Sequence, residues 1–258
     1  MPTRDEDRPI PGVLFDDQRL AIEARFGVAP EQVVRDHVIS HALAAIASLG
    51  TDDVVFFGGT ALSRTHLTDL RLSEDIDLIA LGDRREIGDR IESAITRQFQ
   101  RSFGAVSFTP RIRDTRQPEP SVLQVGNTRV QIQLLSSEGY PAWPTEVVRV
   151  EQRYSDAAGA QLRVLTRAAF VASKLSSWND RMAPRDLYDL WAMAEAGMID
   201  GEAAQLFGRL GTYTSALQVP FTRVPSDAEW EAALGHQGIV QVGPQDAARR
   251  VSDVLRAL

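Results

Sequence analysis

Residues 56–80, FFGGTALSRTHLTDLRLSEDIDLIA, decide how this chain is read. Val54–Phe57 is a short apolar, β-prone run of the kind that forms a buried strand. Gly58 and Gly59 let the backbone turn sharply and approach whatever lies in front of it. Thr60 can cap a short helix reaching Leu67, and unpaired N–H groups at such a turn suit a phosphate. A second strand follows. Its period of two puts Asp75 and Asp77 on one face and Ile76 and Leu78 on the other.

Two carboxylates side by side on a strand repel each other unless a cation sits between them. Hard oxygen ligands suit Mg²⁺, whose octahedron substrate phosphates can complete. A glycine turn for phosphate and an aspartate pair for metal, one short helix apart, point to nucleotidyl transfer. The alternative is an Asp-rich strand end beside an ordinary Gly-Gly turn.

Composition bounds the rest. The chain has 258 residues, long enough for one large domain or two small ones. It is 43% hydrophobic and 24% charged, which is ordinary for a globular protein. It has no cysteine, which excludes disulfides, thiolate metal sites and a thiol nucleophile. No apolar run approaches the roughly 20 residues that span a bilayer, and the start, MPTRDEDRPIPG, does not read as a signal peptide. The expectation is a cytoplasmic protein without membrane contact.

A net charge of −7 argues against non-specific coating of nucleic acid. Eight arginines between Arg84 and Arg116 nevertheless form a candidate RNA track, or a solvated helix face held by ion pairs. Lys174 is the only lysine against 27 arginines. A compact ammonium acts as a point charge in a tight phosphate site, which a planar guanidinium cannot copy. Lys174 is therefore a candidate functional residue.

Helices are expected over 16–26, 31–49, 61–67, 83–101, 167–181 and 185–197, with more beyond Gly201. Strands are expected over 54–57, 75–80, 104–113, 121–125 and 128–136, and Trp143–Tyr154 reads as a connector. His37 and His41, four apart, lack an obvious third ligand and read as a helix face packed on the sheet. Asp186 and Asp189 share one helix face. Asp186 could be a cap, whereas Asp189, flanked by Leu187, Leu190 and Trp191, needs a partner such as Lys174 or an arginine.

The Gly-Gly turn, short helix and Ser73-Glu74-Asp75-Ile76-Asp77-Leu78 resemble the signature of the polymerase-β-like nucleotidyltransferase superfamily. Within it, GGTALSRTH followed by RLSEDIDL resembles the AbiEii/AbiGii toxin family, which includes the MenT toxins. A later block, Lys174–Leu190 (KLSSWNDRMAPRDLYDL), is similar to that family's second motif.

The resemblance implies an α+β fold: a polymerase-β-like nucleotidyltransferase core, a mixed sheet flanked by helices, with a C-terminal helical bundle. The expected division is an arm at 1–14, a core at 15–155 and a helical domain at 156–258. It implies a toxin of a toxin–antitoxin system that uses Mg²⁺ to add nucleotides from an NTP to the 3′ end of tRNA, blocking translation. A cognate antitoxin is an implied partner. Asp75 and Asp77 would hold the metal, and Gly58, Gly59, Thr60 and Ser63 would cradle the triphosphate, with Ser73 and Arg71 close by.

Lys174 would neutralise phosphate charge, and Asp189 or Asp186 would orient it or deprotonate the acceptor. The superfamily's third strand carboxylate falls on Gln131 or Gln133, neutral amides that cannot serve as base or full ligand. Transfer to a protein, including itself, and a non-catalytic nucleotide- or RNA-binding regulator remain open.

Overall fold

A computed structural model describes residues 12–258. Most of the expected arm at 1–14 lies outside the described residues. Seven strands form one mixed sheet in the order β3-β4-β5-β2-β1-β7-β6. They are β1 (Val54–Phe57), β2 (Asp75–Ala80), β3 (Val106–Thr109), β4 (Ser121–Val125), β5 (Thr128–Ser136), β6 (Thr145–Val150) and β7 (Ala160–Leu165). The pairs β1/β7 and β2/β5 are parallel and the others antiparallel.

The two strands at the centre of the site are apolar and buried. Val54, Val55 and Phe56 of β1 and Ile76, Leu78 and Ile79 of β2 are all inaccessible. The register sets Asp77 opposite Phe57 on one side and Gln133 on the other, with Asp75 opposite Gln131.

Helices α1 (Asp16–Phe26) and α2 (Pro30–Ala47) precede the sheet, and α4 (Arg84–Ser102) follows β2. Proline at the first position of α2 uses a residue whose missing N–H costs nothing there. From Val38 to Ile46, α2 is buried on every side, packed against α4, β5 and β7. Asp83 caps α4 by accepting from the Glu86 N–H at 2.8 Å.

Beyond the sheet, α5 (Arg167–Arg181), α6 (Pro184–Glu195), α7 (Gly201–Leu210), α8 (Asp227–Leu234) and α9 (Pro244–Arg256) pack on one another. Their apolar faces join the same continuous core as the sheet. Among the described residues, no helix is long and apolar enough to cross a membrane.

Four local expectations change. The short helix, α3, spans Gly58–Ser63 with Phe57 as its N-cap, so Thr60 lies inside it and is no cap. Residues 104–113 give only the four-residue β3, followed by a 3₁₀ turn at Ile112–Asp114. The 143–154 connector contains β6, which pairs with β7 in a hairpin closing that edge of the sheet. Its long loop lacks a tight-turn signal, and β6 as an edge strand buries only Val150 fully. β7 thus belongs to the sheet although it follows residue 155.

The fourth change concerns His37 and His41: a third ligand does lie beside them, since Asp156, from the β6–β7 loop, reaches both.

Candidate active site

β1 runs straight into α3 through Gly58, whose φ of +77° is in the left-handed region. A Cβ there would collide with Asp77 Oδ2. A Cβ on Gly59 would lie 2.6 Å from Arg71 Nη2 and 2.9 Å from Ser73 Oγ. The glycine pair is thus required by side chains packed directly against the turn. Thr60 donates its hydroxyl to the Asp75 carbonyl and so pins the start of β2 to α3. Ser63 is buried, donating to the Thr60 carbonyl at 3.2 Å. Neither hydroxyl lines the pocket described next.

A pocket of about 280 Å³ opens where β2, β5 and the α5–α6 corner meet. Gly59, Arg71, Ser73, Asp75, Asp77, Lys174 and Asp186 line it, so the two distant sequence blocks share one cavity. Gln131, Gln133, Arg181 and Arg185 complete the wall. Sequence reasoning passed over Arg181 and Arg185 as site residues. Both lie inside the 174–190 block, on either side of the αL turn at Met182 (φ 48°).

Lys174, buried within α5, donates to Asp186 Oδ1 at 3.0 Å and pairs with Asp189 Oδ2 at 2.7 Å. Asp186 and Asp189, three apart on α6, present both carboxylates to the same ammonium. Each also holds an arginine through two bonds. Arg71 reaches Asp189 at 2.9 and 3.0 Å, and Arg181 reaches Asp186 at 2.6 and 3.0 Å. Gln237, from the loop after α8, accepts from Arg71 Nη1 at 2.6 Å. The result is an alternating ladder, Arg71–Asp189–Lys174–Asp186–Arg181, between the sheet and the helical bundle. Asp186 is no helix cap, since that position is Ala183.

The three pocket aspartates and Asp189, behind Lys174, divide into two electrostatic kinds. Burial opposes ionisation of Asp186, but Lys174 and Arg181 overcome it and hold the carboxyl at about 2. Burial likewise opposes Asp189, and Arg71 and Lys174 bring it below the usual range. Lys174 is raised because Asp189 and Asp186 outweigh burial. Asp77 behaves oppositely: burial and then the Asp75 charge push it to about 6. Asp75 is raised as well, chiefly by burial, and its only ion-pair partner among the described residues is Arg185 at 3.9 Å.

Carboxylates driven apart in this way mark a site with separated tasks. Asp75 and Asp77 lack a close cation, and their paired oxygens suit a small divalent ion. Gln133, beside Asp77 in the register, donates its amide to the Pro118 carbonyl and adds no charge.

Half of the candidate RNA track is committed elsewhere. Arg90 grips Asp53 at 2.8 and 2.7 Å, Arg111 and Arg113 hold Asp89 and Glu92, and Arg84 donates to the Leu134 and Thr115 carbonyls. Arg85, Arg97, Arg101 and Arg116 are exposed.

Two solved structures share this fold. MenT4, a nucleotidyltransferase toxin from Mycobacterium tuberculosis H37Rv, superimposes with a TM-score of 0.68 at 19% identity, over 93% of this chain and 90% of that one. JHP933 from Helicobacter pylori does so with a TM-score of 0.52 at 14% identity, over 89% and 92%. No curated protein matches the sequence. The profile described as nucleotidyl transferase AbiEii toxin, Type IV TA system, matches residues 41–241, spanning both halves of the pocket. The chain therefore belongs to the AbiEii family of nucleotidyltransferase toxins.

Proposed function

We propose that this chain transfers a nucleotidyl group from an NTP to the 3′ end of tRNA, and that Asp75 and Asp77 hold the magnesium ion this requires. The observation that carries the chemistry is the convergence of two cation-seeking carboxylates and a buried ammonium on one 280 Å³ cavity. The tRNA acceptor rests on the family resemblance.

Asp75 and Asp77 would hold the magnesium ion, which would supply Lewis-acid chemistry toward the phosphates. The protein's own groups do the rest. Gly59 and Ser73 line the wall where phosphates would lie, and Gly58 leaves room for the Asp77 carboxylate. An ammonium has three N–H groups, and two of them on Lys174 are taken by Asp186 and Asp189. The third is free for a phosphate oxygen, where it would offset charge that grows as pyrophosphate leaves.

Asp189 is spent on Lys174 and Arg71 and lies behind the ammonium, so its task is to position Lys174, as is that of Asp186. Thr60 and Ser63 hold the turn through carbonyl contacts. Arg181 and Arg185, exposed at the rim, would meet the incoming anionic substrate.

The test is incubation of the purified protein with each labelled NTP, Mg²⁺, and either total tRNA or protein, followed by sequencing of RNA 3′ ends. Label on tRNA ends that disappears in Asp77→Asn supports the reading. Label on protein alone would move the acceptor to a polypeptide. No transfer at all, with growth arrest retained by Asp75→Ala, would make the chain a non-catalytic regulator.

A further inference from the structure

A second cluster lies outside the pocket, and its chemistry is different. His37 and His41 stand one turn apart on α2, both buried. Their Nε2 atoms each lie 2.9 Å from Asp156 Oδ2, on the loop between β6 and β7. The Asp156 side chain is wholly inaccessible, and the Gly12 N–H donates to the same oxygen at 2.8 Å. Phe103 packs edge-on against both rings.

We infer that His37, His41 and Asp156 form a structural site for one first-row transition-metal ion of the zinc type. Two imidazole nitrogens and one carboxylate oxygen are a donor set for Zn²⁺ and its neighbours, whereas Mg²⁺ prefers oxygen alone. The spacing of four on a helix aims both imidazoles the same way. The three donor atoms lie within 4.8 Å of one another.

Around a tetrahedral ion with bonds of about 2.0–2.1 Å, donors sit roughly 3.3 Å apart. The two His–Asp separations of 2.9 Å need to open by a few tenths of an ångström, and the two imidazole nitrogens, within 4.8 Å of each other, to draw together. A small ligand such as water completes the fourth position. The Gly12 N–H acts on the carboxylate from behind and fixes its orientation, as outer partners of metal ligands do.

Charge favours the same conclusion. Asp156 is an acidic side chain whose partners among the described residues are two imidazoles and one backbone N–H, with no arginine or lysine among them. The neighbouring cations Arg64 and Arg153 are committed to Asp36, at 2.6 and 3.0 Å. A bound dication would neutralise the carboxylate and fasten α2 to the β6–β7 loop. This inference is independent of the transfer reaction.

The experiment uses the full chain, stripped with chelator and titrated with Co²⁺ as a spectroscopic probe. The expected result is one equivalent bound with the intense visible bands of a four-coordinate site, displaced by Zn²⁺. The bands should persist in Asp77→Asn, which alters the acidic pocket, and vanish in His41→Gln and Asp156→Asn. Zn²⁺ should raise the Tm of the wild-type chain by several degrees and leave that of Asp156→Asn unmoved. Weak octahedral Co²⁺ spectra in the wild type, together with a Tm indifferent to Zn²⁺, would overturn the inference and leave a purely hydrogen-bonded His–Asp–His contact. These wild-type measurements decide the matter even if a histidine variant fails to fold.

Discussion

Replacing Asp77 by Asn should stabilise the protein while destroying its proposed chemistry. In the folded chain burial and Asp75 hold the Asp77 carboxyl at about 6, against 3.8 for an ordinary aspartate. Its ionised form is therefore disfavoured in the fold. At about 1.4 kcal/mol per pKa unit the shift corresponds to roughly 3 kcal/mol. Asp77 opens onto the pocket, where water screens part of this, so a gain of about 2 kcal/mol is the working figure.

The sign follows from proton counts. Between pH 3.8 and about 6 the folded chain binds more protons at this position than the unfolded one, so stability falls as pH rises through that window. Above it the whole penalty is present; below about pH 4 none remains. Thermal unfolding should show the Asn variant about 4–8 °C more stable at pH 8, at 2–4 °C per kcal/mol for a chain of this size. The advantage should shrink on acidification and disappear near pH 4. An Asn variant no more stable than wild type at pH 8, or an advantage that ignores pH, would refute the electrostatic account of the pocket.

Lys174→Met should behave in the opposite way. It leaves Asp186 and Asp189 facing each other, each still held by an arginine, and should cost about 3 kcal/mol in chemical denaturation, together with nucleotidyl transfer. Gly58→Ala places a Cβ against Asp77 Oδ2 at a φ of +77°, and should lose about 1–2 kcal/mol and most of the activity. Gly126→Ala, also at positive φ but with open space around it, should lose comparable stability without loss of transfer. Arg71→Lys keeps the charge but breaks the two-point grip on Asp189, and should lower Tm by several degrees in a thermal melt.

The sequence determined what is local. The strand-turn-helix-strand, the two aspartates sharing one face and the odd lysine follow from side-chain period, glycine freedom and composition, which need only near neighbours. The 174–190 block was legible through its likeness to the family's second motif, whereas Arg181 and Arg185 within it emerge as pocket residues only in the fold.

What each acid does was decided by tertiary structure. Asp77 and Asp186 are the same residue type. Burial pushes both upward, but Asp77 goes to about 6 with another carboxylate beside it, whereas Lys174 and Arg181 bring Asp186 down to about 2. The partners of Lys174 are 12 and 15 positions away, Arg71 is 118 from Asp189, and Asp156 is 115 from His41. The β6–β7 hairpin, whose connecting loop delivers Asp156, carries no tight-turn signal. Charge and coordination depend on what burial brings within a few ångströms, and that is fixed only once the sheet and the helical bundle close on each other.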